Sequence, residues 1–216
     1  MLELGLRRPN RPMRLLCVGA HSDDLEIGCG GTVLKWLSNH ARVEVTWVVL
    51  CAAAVRATEA RESANALLRR ARRKRLVLCD FRDGHLPAQF TEAKDLFEDL
   101  KAGEEPDVIL THRLEDRHQD HRLVAELTWQ TFREHLIFEY EIPKYEGDLG
   151  QPNLYVPLPA SIGKRKVDHL MRHFGSQRSK SWFRPETFLG LMQLRGIECR
   201  ADSGCAEALY ARKVRL

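Results

Sequence analysis

The chain has 216 residues, 44% of them apolar and 30% charged, with a formal charge of +4. That size and composition suit one soluble domain spanning residues 1–216 with a full core of its own. They exclude a membrane-spanning helix, because no apolar run is long enough, and the small basic surplus does not select a partner by itself.

In chain order, strand-like and helix-like segments alternate. Residues 14–19 read as a strand and 25–39 as a helix. Residues 43–50, rich in β-branched side chains, read as a buried strand, followed by a charged amphipathic helix over 56–73. A short strand at 76–79, a helix at 91–101 capped by Thr91, and a strand at 107–111 introduced by Pro106 come next. Residues 118–135 are helical, and 137–142 form a strand. Beyond them Pro143, Pro152, Pro157 and Pro159 interrupt the pattern. Helices at 164–172 and 185–195, the second with Gly196 just past its end, precede a last strand at 206–214.

Such alternation predicts an α/β domain: a Rossmann-like, doubly wound, mostly parallel sheet with helices on both faces. If the strand order begins 3-2-1-4, the first and fourth strands are neighbours where the winding reverses, the usual place for a ligand.

The N-terminus lacks the apolar segment of a secretory signal, so a cytoplasmic protein is expected. Six cysteines, Cys17, Cys29, Cys51, Cys79, Cys199 and Cys205, form no C-x-x-C pair and read as reduced thiols. The run Arg69 to Arg75 reads as the solvated end of a helix. Its rival is a grip on nucleic acid, disfavoured because no aromatic residues interleave with the charges.

Two polar clusters carry the chemistry. Ala20-His21-Ser22-Asp23-Asp24 leaves the first strand, and His118-Gln119-Asp120-His121 follows the fourth. Together they offer two imidazoles and a carboxylate for a metal, with an acid and a base to spare. A catalytic zinc takes three protein ligands and keeps one position open. Asp23 and Asp24 diverge as neighbours, so one as ligand and the other as base is the natural division. His118 and His121 share a helix face, and one of them can bind metal while the other faces the reacting carbonyl. The glycines at 28, 30 and 31 are not a dinucleotide fingerprint, since Val33 stands where the third glycine would fall.

These clusters resemble the AHPDD and HPDH motifs of the PIG-L/LmbE-like zinc-dependent N-deacetylases. Softer matches are Glu26 to Thr32, Arg61-Glu62, Asp83-Gly84, Asp116-Arg117, and stretches at 195–199 and 206–208. The resemblance implies that His21, Asp24 and His121 bind Zn2+, with Fe2+ or another divalent ion as the alternative. It implies Asp23 as general base, His118 as oxyanion stabiliser or acid, and Asp120 as the residue orienting a histidine. The substrate it implies is an N-acetylated sugar or glycoconjugate of the N-acetylglucosamine type, with Arg56 or Arg61 touching a polar part of it. Ser22 and Gln119 replace the usual prolines, and Leu25 replaces an acidic residue. No membrane partner is expected, and a homo-oligomer is compatible with the sequence. Two rival functions are a non-haem iron oxygenase, which also uses two histidines and a carboxylate, and a non-catalytic basic binding protein.

Overall fold

The computed structural model of the chain describes residues 5–6, 11–40, 42–103 and 105–215. Thirteen elements follow in order: β1 (Met13–His21), α1 (Asp24–Asn39), β2 (Val43–Cys51), α2 (Ala54–Leu67), β3 (Arg73–Leu78), α3 (Phe90–Gly103), β4 (Val108–His112), α4 (Gln119–Thr131), β5 (Ile137–Tyr140), β6 (Leu154–Pro157), α5 (Ala160–His173), α6 (Pro185–Cys199) and β7 (Ala206–Ala211).

The strands form one sheet in the order β3-β2-β1-β4-β5-β7-β6. Pairing is parallel from β3 through β5, and antiparallel between β5 and β7 and between β7 and β6. The sequence therefore yields a doubly wound α/β domain, with β1 and β4 adjacent at the reversal.

Alternation along the central strands sorts side chains to two cores. Leu15, Cys17, Val45, Trp47 and Val49 pack with Val33 of α1, Leu67 of α2, Leu170 of α5 and Phe188 of α6. Leu16, Val18, Val48 and Leu50 pack with Phe97 of α3 and Leu127 of α4 on the other face. Strands covered on both faces must be apolar throughout, which is why β2 reads as a continuous run. Helix α1 lies so close to the sheet that a Cβ at Gly28 would sit 2.2 Å from the Tyr140 ring. The Tyr140 hydroxyl in turn donates to the Val18 carbonyl at 2.8 Å.

Several boundaries differ from the sequence expectation. Helix α2 ends at Leu67, so the basic run is not a helix end; its second half is β3, an edge strand on which Arg73, Lys74 and Arg75 are solvated. Pairing of Arg73 with Glu44 on β2 extends the strand backward through the charged residues. Thr91 does not cap α3, because the chain enters that helix through a single tight turn at Leu86–Gln89 and is already helical at Phe90. Helix α4 stops at Thr131 instead of reaching His135. Helix α6 continues through Gly196 to Cys199 and ends at Arg200, whose φ of +55° stops the spiral. Gly196 serves close packing instead, since a Cβ there would meet the Gly204 carbonyl oxygen at 2.3 Å. Strand β6 sits in the proline-rich stretch and pairs along one side only, as prolines require.

Candidate active site

The site lies where β1 and β4 deliver their ends side by side. His21 closes β1, Asp23 and Asp24 open α1, His112 closes β4, and His118 to His121 open α4. These are the first turns of two helices and the last residues of two central strands, so the backbone under the site is rigid.

Three side-chain atoms converge. His21 Nδ1 is 3.1 Å from His121 Nε2 and 3.2 Å from Asp24 Oδ2, and His121 Nε2 is 3.5 Å from Asp24 Oδ2. Ligands about 2.0–2.1 Å from a tetrahedral ion stand roughly 3.3–3.4 Å apart. The triangle has that size, so the donor set fits a small divalent cation. The backbone N–H of His21 donates to Asp24 Oδ2 at 2.6 Å, fixing the carboxylate toward the triangle.

The electrostatics agree with a cation site. Burial alone would raise the Asp24 pKa, but His121, His112 and His21 hold it well below the usual carboxylate range. Burial would lower the pKa of His21, and Asp24, Asp120 and Asp83 outweigh it and raise it well above the ordinary imidazole value. Positive charge is therefore favoured beside that ring. Burial and the neighbouring His112 push His121 down to about 3, leaving a neutral imidazole. Its Nδ1 faces Asp116 Oδ2 at 3.0 Å, which leaves the Nε2 lone pair directed into the triangle.

Asp23 is buried beside the triangle. Burial and Asp24 raise its pKa against the pull of Arg56 and His21. His118 caps α4: its Nδ1 accepts the Asp120 backbone N–H at 3.3 Å, so Nε2 carries the proton. Its ring centroid lies 5.0 Å from that of His21 and 4.5 Å from that of His121. Asp120 approaches His21 Nε2 at 3.3 Å and accepts the N–H groups of Gly84 and Leu86 at 2.6 and 3.0 Å. The loop after β3 is thereby tied to the site.

The two arginines expected at a substrate part ways. Arg56 directs its guanidinium at Asp23, at Glu59 (3.1 Å) and at Ser176 (3.2 Å), which engages three of its five N–H donors. Arg61 is exposed. Five residues turn a helix through about 500°, which puts it on a different face of α2 from Arg56.

Residues that the motif reading did not assign also build the site. His112 is fully buried, stacks on His121 with centroids 3.9 Å apart, and places Nε2 3.1 Å from Asp24 Oδ2. Asp116 holds both His121 and the Lys144 ammonium, the latter at 3.0 Å. Lys144 also binds Asp148 at 2.6 Å, anchoring the segment after β5. Asp116 was legible only as a flank of the second motif, and His112 and Lys144 had no spacing signal.

The fold and the residues at its switch point define an α/β domain with a polar site where β1 and β4 end. Residues 16–132, more than half of the chain, match the family model PIG-L, described as GlcNAc-PI de-N-acetylase, and the chain belongs to that family. It is an enzyme of the de-N-acetylase class. No curated protein sequence matches it.

Among solved structures, the N,N'-diacetylchitobiose deacetylase of Pyrococcus horikoshii, complexed with its inhibitor MPG, is 22% identical with a TM-score of 0.72. The match covers 92% of this chain and 83% of that one. Teicoplanin deacetylase Orf2 in its zinc-inhibited form is 13% identical with a TM-score of 0.70, covering 92% and 97%. The 4-carboxy-2-hydroxymuconate hydratase GalB of Pseudomonas putida KT2440 is 16% identical with a TM-score of 0.70, covering 94% and 98%. These likenesses establish the shared fold. No helix among the described residues is long and apolar enough to cross a membrane.

Proposed function

We propose that the chain is a zinc-dependent hydrolase that removes an N-acetyl group from an N-acetylglucosamine-type sugar or glycoconjugate. The observation that carries this reading is the triangle of His21 Nδ1, Asp24 Oδ2 and His121 Nε2, sized for a tetrahedral ion and flanked by a carboxylate, Asp23, and an imidazole, His118, that are not its vertices. Zinc in that triangle would supply Lewis acidity, lowering the pKa of a water and polarising the acyl oxygen.

The remaining steps belong to the protein. Asp23, with its raised pKa, takes a proton from the attacking water and holds it within the site. Arg56 keeps that carboxylate in one orientation, a positioning role beside the substrate contact proposed for it. His118, protonated on Nε2, donates toward the developing oxyanion or the departing nitrogen. Asp116 and Asp120 hold the two outer imidazoles in the tautomers that ligation needs. The sugar specificity draws on the family description and on the diacetylchitobiose deacetylase among the structural neighbours.

The test is amine release from a panel of N-acetylated sugars and glycoconjugates, with chelator, with added Zn2+ and with added Fe2+. Release that chelator abolishes and zinc restores is expected. Activity indifferent to chelator would overturn the metal assignment, and no release from any N-acetylated compound would overturn the reaction.

A further inference from the structure

His21 has a second face. Its Nε2 points away from the triangle, toward the gap between β2 and the loop after β3. There it lies 3.1 Å from Asp83 Oδ1 and 3.3 Å from Asp120 Oδ2. Sheet register adds a sulfur: His21 pairs across the parallel ladder with Cys51, the last residue of β2. Donor atoms of His21, Cys51 and Asp120 all lie within 4.8 Å of one another. An imidazole, a thiol and a carboxylate thus gather at one corner, and the Asp83 carboxylate reaches it through His21 Nε2.

Hydrogen bonding leaves this corner short of positive charge. Nε2 can supply one proton, and two carboxylates approach it. Asp120 is served further by the N–H groups of Gly84 and Leu86, while Asp83 Oδ1 has only the His21 ring. Cys51 Sγ takes part in no hydrogen bond among the described residues. The Asp83 side chain is 79% exposed, so the corner opens to solvent on that side. Two carboxylates and a buried thiol around a single ring nitrogen leave lone pairs that no donor among the described residues takes up and that a divalent ion would bind.

We propose that Cys51, Asp83, Asp120 and the Nε2 of His21 form a second metal site for a soft divalent ion of the zinc class, sharing His21 with the first. Sulfur, imidazole and carboxylate together select Zn2+, Cd2+ or Co2+ over Mg2+ or Ca2+. Binding releases two protons to solvent, one from Sγ and one from Nε2, and leaves His21 as an imidazolate with a metal on each nitrogen. The two ions share one ligand and repel each other, so the second binds more weakly than the first.

Its consequence for catalysis rests on the reaction proposed above. Asp120 is drawn off its hydrogen bond to His21, and the charge of the imidazolate is divided between two ions. Excess zinc therefore inhibits the enzyme that a first equivalent of zinc activates.

Cobalt distinguishes the sites, because only the second contains sulfur. The full chain is titrated with Co2+ beyond one equivalent, and bound metal is counted by equilibrium dialysis. A second equivalent is expected, together with a near-ultraviolet thiolate-to-cobalt band that grows only with it. In Cys51→Ala the band and the second equivalent disappear; in Asp83→Asn, a change at an exposed side chain, the second equivalent weakens roughly tenfold or more. Inhibition by excess zinc, scaled to each variant's own rate, shifts to higher concentration by a similar factor in both.

A wild-type chain that holds one equivalent and shows no sulfur band overturns the proposal. So does a band that survives Cys51→Ala, or zinc inhibition that neither variant alters. If no N-acetylated compound is hydrolysed, the reaction assigned above fails, and the metal count and the band still decide the second site.

Discussion

Asp23 and Asp24 are neighbours in sequence with opposite electrostatics. Three imidazoles around Asp24 hold it ionised, while burial and the adjacent charge lift Asp23. One environment suits a ligand and the other suits a base, and pairs of titratable groups pushed apart in this way mark acid–base chemistry. Replacing Asp23 by Asn is expected to lower deacetylation about 10²–10⁴-fold while zinc content is unchanged, read by turnover beside metal analysis. Loss of zinc in that variant would make Asp23 a ligand instead. Asp116 acts through another residue: it grips His121 Nδ1 and touches no vertex of the triangle. Asp116→Asn should weaken zinc binding about 10–100-fold, measured by competition with a chelating dye. An unchanged affinity would show that the N–H of His121 needs no carboxylate. At this scale the sequence was informative wherever residues formed a spaced motif. It was silent for His112, whose imidazole reaches the site because β4 lies next to β1, a fact of tertiary structure.

The central strands and α1 were readable because their burial is nearly complete and their pattern therefore unambiguous. The structure departs from the sequence pattern at element ends. Helix α6 illustrates why: glycine commonly follows a helix, and Gly196 stood where the periodicity faded. Its actual constraint comes from residues 201–205, which fold back against the helix so that the Gly204 backbone occupies the place of a side chain. Gly196→Ala must push two backbone segments apart, and a loss of about 3 kcal/mol is expected by urea unfolding. Gly190 in the same helix has nothing within 4 Å of a notional Cβ, so Gly190→Ala is the matched control and should be neutral or stabilising. Equal effects at both positions would refute the packing account. Strand β6 has no local signal for a related reason, since its pairing depends on β7, about fifty residues later in the chain.

Over the whole molecule, charge is arranged unevenly. His169 on α5 is held neutral, its pKa pushed down to about 3 by burial and by His173, Arg165 and Arg172, and its Nε2 lies 2.8 Å from the Ser63 hydroxyl. In the unfolded chain the ring titrates near 6.5. The unfolded state therefore binds more protons below that pH. Stability is full above about 6.5 and falls as the pH drops toward 3, by up to about 1.4 kcal/mol per pH unit for this group. His169→Gln should flatten the acid limb of a plot of unfolding free energy against pH; an unchanged slope would assign that limb to other groups.

The far edge of the sheet carries the opposite kind of arrangement, with Arg73, Lys74 and Arg75 in succession along β3. A second copy aligning its own β3 there would bring ammonium and guanidinium groups face to face across the new ladder, which is unfavourable. The sheet is thus insulated against growing end to end through this margin, and any self-association has to use a helical flank or the opposite rim.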